Sequence, residues 1–287
     1  MHLLLLSIVL SVSVSVLLKL APRLNLDIRQ AILVNYMVAA AVVWWRFQPD
    51  LAPLAQATLP VWGLLLALGL GLPGMFWVLA VSVRRAGVVR TDAAMRLSLL
   101  LPLLAAFLLF GETLTAGKLA GIVLGLVAIA LIVARPGRAA VTTGTREVAI
   151  LGLVFLGMGV IDILFKSMAR LTPASSIGVL LAAFLLAALV SLIAVGALYW
   201  RGRAGWAWRH LLAGLILGVL NVGNIVFYIR AHRALPGDPA LVFAAMNIGV
   251  IVLATLVGLL AFRERLARAN IIGLFLAVFA VLTLASF

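Results

Sequence analysis

The chain has 287 residues, 66% of them hydrophobic and 10% charged, with mean hydropathy +1.29 and formal net charge +14. A soluble domain carries roughly a quarter charged residues, so this chain lacks the polar groups to clothe a water-facing surface. Apolar runs of about 20 residues, long enough to cross a hydrocarbon core of roughly 30 Å, recur from end to end, without the short alternating strands of a membrane barrel. The composition predicts an all-α polytopic membrane protein. Its basic residues fall in small groups between the apolar runs, which fits loops beside anionic lipid and argues against nucleic acid as a partner. There is no cysteine, and His2, His210 and His232 are scattered, so no metal and no cofactor site is expected.

Ten membrane helices are predicted, at 2–21, 31–47, 59–84, 91–110, 115–134, 148–169, 174–199, 208–230, 239–262 and 267–286. The first resembles a signal sequence but lacks a basic leading segment, and it is read as a retained span. It carries Ser7, Ser11, Ser15 and Lys19 on one face, either as a polar wall or as a close-packing seam with Lys19 reaching the interface. The second holds Asn35 and Tyr36. In the third, Pro73 between Gly71 and Gly74 predicts a kink or broken turn beside Phe76 and Trp77. The fourth contains Met95 and Arg96. Arg96 either pairs with Asp92 or lines a pathway that favours a carboxylate or phosphate.

Gly117, Gly121 and Gly125 form a small-residue ridge on the fifth helix, echoed by Ala269, Gly273 and Ala277 on the tenth. Such ridges let backbones approach closely, against each other or across a dimer. The sixth helix places Asp162 and Lys166 one turn apart, either a static ion pair or a proton-binding group beside a cation. Asn221, Asn224 and Tyr228 share a face of the eighth, where amides and a phenol would either contact a substrate or bond neighbouring helices. The ninth repeats Met95-Arg96 as Met246-Asn247. Glu112 and Glu264 are expected to satisfy backbone N–H groups at helix starts.

The polar stretch 135–147 separates two halves, 1–134 and 148–287, that echo each other. Residues 12–23 align without gaps on 159–170, so that Leu17, Lys19 and Arg23 match Leu164, Lys166 and Arg170, and Ser15 meets Asp162. Arg84-Arg85-Ala86 resembles His232-Arg233-Ala234, and Ala93-Ala94-Met95 matches Ala244-Ala245-Met246. Gly111-Glu112-Thr113-Leu114 with Gly121 corresponds to Arg263-Glu264-Arg265-Leu266 with Gly273. An odd number of helices per half makes the copies antiparallel, two inverted five-helix repeats of a kind typical of secondary transporters.

Two five-helix repeats, each ending in a Gly/Arg-Glu-x-Leu hairpin and a glycine-containing apolar helix, resemble the EamA-type carriers of the drug/metabolite transporter superfamily. The resemblance covers nearly the whole chain. The family's aromatic-rich segment before helix four appears here only as residues 79–86 and 228–234. The resemblance implies a ten-helix bundle around a central pathway, and export or uptake of a small metabolite. It also implies cytoplasmic termini. By contrast, alternate loops hold 15 and 6 Lys and Arg, with Arg96 left out as intramembrane, and the positive-inside rule then places both termini outside.

The functional expectation is a multi-pass secondary transporter of the inner membrane for an amino acid or related compound, with a proton as candidate coupling ion. Alternating access would rock helices one to four against their counterparts around helices five and ten. The candidate substrate wall is Ser11, Ser15, Tyr36, Phe76, Trp77, Met95, Arg96, Asn221, Asn224, Tyr228 and Asn247, with Asp162 and Lys166 for coupling. No HExxH, Walker sequence or paired-aspartate motif is present, so an enzyme is not expected. An uncoupled facilitator or channel-like pathway and a non-transporting interaction protein are the alternatives, and both monomer and homodimer fit.

Overall fold

A computed structural model describes residues 2–21, 24–86, 88–133, 145–202, 207–262 and 268–286. Twelve helices and no strand occur among them: α1 His2–Leu20, α2 Ile28–Phe47, α3 Ala52–Ala55, α4 Leu59–Ala86, α5 Val88–Leu97, α6 Leu100–Leu108, α7 Ala116–Val133, α8 Thr145–Ala169, α9 Pro173–Trp200, α10 Trp208–Ala234, α11 Pro239–Phe262 and α12 Arg268–Ser286. Six are long and apolar enough to cross a membrane: α2, α4, α8, α9, α10 and α11. The chain is therefore an all-helical membrane protein. Most of the expected 135–147 linker, and Glu264 with its neighbours, lie outside the described residues.

Local chemistry explains where the helices depart from hydropathy. α2 begins at Ile28, earlier than expected, because Asp27 caps it: the carboxylate accepts from Arg29 N at 3.0 Å and from Arg29 Nε and Nη2 at 2.9 and 2.8 Å. Burial alone would raise this carboxyl, but the Arg29 hydrogen bonds outweigh it and hold Asp27 below the usual carboxylate range. At the other end Gln48 adopts a left-handed conformation (φ 40°) and its N–H closes on Trp44 O.

The expected single helix over 91–110 is in fact two, α5 and α6, divided at Ser98-Leu99. Pro102 is the cause. Its ring excludes the carbonyl four residues back, that of Ser98, and it has no N–H to give. Ser98 O instead accepts from Leu101 N at 3.0 Å, while Leu99 N turns tightly to Arg96 O and Ser98 Oγ donates to Met95 O at 2.6 Å. Of the kink or broken turn expected at Pro73, the broken turn is absent: α4 stays helical from Leu59 to Ala86 with Pro73 inside it. There the residue four back is Gly69, packed so tightly on Leu186 of α9 that a Cβ would lie 2.6 Å from its Cδ2.

The helices gather into two compact units. Unit one comprises Met1–Ile8, Met75–Ile163 and Ala234–Phe287; unit two comprises Val9–Gly74 and Leu164–Arg233. In unit one α12 packs along α7, and α11 contacts α6, α7 and α12. Part of the small-residue ridge of α7 lies at these contacts. A Cβ on Gly121 would come within 2.7 Å of Leu284 Cγ and 3.2 Å of Leu284 N, and one on Gly125 within 3.0 Å of Ile248 Cδ1. Ala277 and Ala280 are fully buried.

In unit two α2 packs against α9 and α10. Gly214 and Gly218 of α10 sit against Val34 and Val38, close enough that added Cβ atoms would lie 2.8 and 2.9 Å from the carbonyl oxygens of Ala31 and Asn35. Small residues four apart permit this approach between membrane helices. The later turns of α1 (Val14, Leu17, Leu18) pack on the buried cluster of Ala31, Ala213 and Leu217. Exposed tryptophans stand at the end of α2 (Trp44, Trp45), the end of α9 (Trp200) and the start of α10 (Trp208), as expected of residues at headgroup level.

Candidate functional site

Unit two carries a ladder of polar side chains along one face of α10. Asn221 Nδ2 donates to Asn35 Oδ1 of α2 at 3.1 Å. Asn35 is fully buried, and its own Nδ2 has no hydrogen-bond acceptor among the described residues. An unfilled amide donor inside a membrane unit costs free energy, and a carbonyl, carboxylate or water would satisfy it. Asn224, one turn on, is half-buried. Tyr228, buried, meets Phe165 of α8 edge-on, with ring centroids 6.2 Å apart at 80°, and stacks obliquely on His232 at 4.8 Å. Lys166 and His232 are also buried here. Tyr36, one residue after Asn35, is fully enclosed beside Phe184 of α9, its ring centroid 6.3 Å away.

Helical geometry explains the ladder. Residues three and four apart stack on one face, and the close seam at Gly214 and Gly218 brings the next turn, with Asn221, within hydrogen-bonding distance of α2. Arg233 then fixes the hairpin between α8 and α9. Its Nε and Nη2 donate to the carbonyls of Ala169 and Leu171, each at 3.2 Å, and Nη2 also bonds Ser176 Oγ. These are the unfilled acceptors at the end of α8.

Not every sequence candidate joins this ladder. Ser11 is half-buried, while Ser15 is exposed and spends its hydroxyl on Ser11 O at 3.1 Å within α1. In unit one, Phe76, Met95, Arg96 and Asp162 are half-buried, and Trp77 is 37% exposed. Asn247 is half-buried, its Nδ2 turned back to Phe243 O at 3.1 Å. The boundary between units falls within α8, so Asp162 belongs to unit one and Lys166 to unit two.

No family model matches the chain. A protein of Haemophilus influenzae (strain ATCC 51907 / DSM 11121 / KW20 / Rd), described as an uncharacterized protein, is 42% identical over 291 residues, spanning 99% of this chain and 97% of that protein. The chain belongs to that protein's family. A chain of known crystal structure, 20% identical, matches with a TM-score of 0.71 over 98% of this chain and 94% of its own length. The two share a fold.

Within this fold, unit one holds a charged cluster that sequence reading found only in part. Glu112 was expected to cap a helix start, and it does so for α11: Oε2 accepts from Ala240 N at 2.8 Å. Its Oε1 accepts a hydrogen bond from Lys118 Nζ at 2.8 Å, and Lys118 also donates to Asp238 Oδ1 at 3.0 Å. Lys118 passed for a loop charge, although its place one turn inside an apolar helix was the available signal. His232 was set aside as one of three scattered histidines. Of the pair Asn35 and Tyr36 only Tyr36 was placed on the candidate wall, and the Gly214-x-x-x-Gly218 spacing, readable as a packing motif, was not used.

Proposed function

We propose that this protein is a secondary transporter of the inner membrane that carries a small organic metabolite by alternating access, built as ten spans in two inverted five-helix repeats. The carrying observation is that helices pack against their own counterparts from the other half. α2 packs on α9, α6 on α11 and α7 on α12, which in a ten-span count join two with seven, four with nine and five with ten. Each compact unit is likewise drawn from both halves. The tight contact of Gly218 with Val38, α10 on α2, recurs as Gly69 with Leu186, α4 on α9. An inverted repeat related by a pseudo-two-fold axis accounts for such pairing, and binding sites in such carriers lie where the repeats meet. The resemblance to EamA-type carriers points the same way.

The substrate class follows from the ladder. Asn35, Asn221, Asn224 and Tyr228 offer donors and acceptors without charge, suited to an amino acid or related compound that must bind and leave. Asp162, which replaces the Ser15 of the other half, is the group that would take up a coupling proton. Three expectations follow for protein reconstituted in liposomes. Compounds that raise its melting temperature should be accumulated against a gradient. Asn221→Ala should cut the rate about tenfold, the worth of one hydrogen bond at a desolvated site. Asp162→Asn should flatten the pH dependence. Passive equilibration of every ligand would replace carrier coupling with facilitation, and an unchanged pH profile in Asp162→Asn would remove the proton role.

A further inference from the structure

Arg46 and Arg230 bring two guanidinium groups to a single aromatic ring in unit two. Arg46 lies in the last turn of α2 and Arg230 near the end of α10, and their Cζ atoms are 5.6 and 5.9 Å from the Phe47 ring centroid. Both side chains are exposed, and neither has a carboxylate partner among the described residues. The ring orients these cations without neutralising them, and two like charges drawn to one ring repel each other. Arg233 adds a third positive charge close enough to feel Arg230, with its hydrogen bonds going to neutral carbonyls and a hydroxyl. Asp50, the acidic residue that follows α2, accepts from Ala52 N and from neither guanidinium.

The location narrows what could supply the missing negative charge. Trp44 and Trp45 immediately precede Arg46 and are exposed, as are Met37 and Ala41 further down α2. Interfacial tryptophans mark headgroup depth, and the apolar outer face of α2 below them is a surface for acyl chains. Arg46, Arg230 and Arg233 also belong to the loops with 6 rather than 15 basic residues, so the overall charge bias of the chain does not account for their convergence.

We propose that Arg46 and Arg230, braced on Phe47, bind the phosphate of an anionic phospholipid headgroup. Guanidinium forks match phosphate oxygens in geometry as well as charge. The proposal requires that the chain span a membrane and is independent of what it transports.

The test uses the full chain in nanodiscs of phosphatidylcholine with and without phosphatidylglycerol, reading lipid retention by native mass spectrometry and melting temperature. Phosphatidylglycerol should be retained and stabilising. Arg46→Gln with Arg230→Gln should weaken that affinity about 30-fold and each single change about fivefold, from roughly 1 kcal/mol per basic side chain. Retention by the double variant equal to the parent protein overturns the proposal. So does an equal stabilisation by inorganic phosphate at matched concentration, which would make the site one for free anions. If the glutamine pair does not fold in pure phosphatidylcholine, Arg46→Lys with Arg230→Lys decides: a partial loss of affinity supports guanidinium–phosphate pairing, and unchanged affinity overturns it.

Discussion

Unit one ties two carboxylates to one buried lysine, whereas unit two lays amides and rings along a helix face. In the first, Glu112, Lys118 and Asp238 close on each other within 3.0 Å, and the spare oxygen of Glu112 caps α11. In the second, Asn221 meets Asn35, and the Asn35 Nδ2 finds no acceptor among the described residues. Lys118 fastens helices here, because removing it strands the buried Glu112 carboxylate. An amide pair such as Asn35 and Asn221 leaves no charge stranded when one partner is removed. The glycine seams differ in the same sense. The Gly121 seam in unit one joins two scaffold helices, while the Gly214–Gly218 seam in unit two sets the spacing at which α10 presents its ladder to α2.

The contrast can be broken most forcefully at Lys118. Lys118→Met should destabilise the protein by about 3–5 kcal/mol, since Glu112 is left buried without its cation, and combining it with Glu112→Gln should recover part of the loss in a thermal melt. Next in size is Gly121→Leu. A side chain there meets Leu284 down to its backbone nitrogen, and overpacking of this kind costs roughly 1–3 kcal/mol. Gly63→Ala, with open space around it, is the control and should change the melting temperature little. In unit two, Asn221→Ala should remove about 1 kcal/mol of stability while cutting the proposed transport about tenfold, a larger loss of function for its cost in stability than Lys118→Met or Gly121→Leu should show. The smallest effect belongs to Ser15→Ala. Its hydroxyl bonds its own helix on an exposed face, so stability should stay within roughly 0.5 kcal/mol and transport should be unchanged.

Pro73 and Pro102 show how far local reading carried. Both break the hydrogen-bond pattern of an apolar helix, and the sequence marks the first, set among glycines, as the stronger breaker. Yet α4 runs through Pro73, while the chain divides ahead of Pro102. The second AlaAlaMet segment sharpens the point. Leu253 follows Met246 at the distance at which Pro102 follows Met95, and α11 continues unbroken from Pro239 to Phe262. In this register a proline coincides with the divided helix and a leucine with the continuous one. Among the site residues, the shared face of Asn221, Asn224 and Tyr228 was legible because helical periodicity is local. The partner of that face was not.

By itself the sequence determined that this is a helical membrane protein, where most of its helices run and which of their faces are polar. Hydropathy and a 3.6-residue period are properties of neighbouring residues and need no partner to be read. The tertiary structure decided the partners: Glu112 caps a helix 128 residues away in place of its own hairpin, and Asn35 finds Asn221 186 residues on. Those choices depend on which helices can approach closely enough, which is set at Gly121, Gly214 and Gly218 by the absence of a side chain. A single residue's chemistry states what it could bond; only the packing of distant helices selects what it does bond.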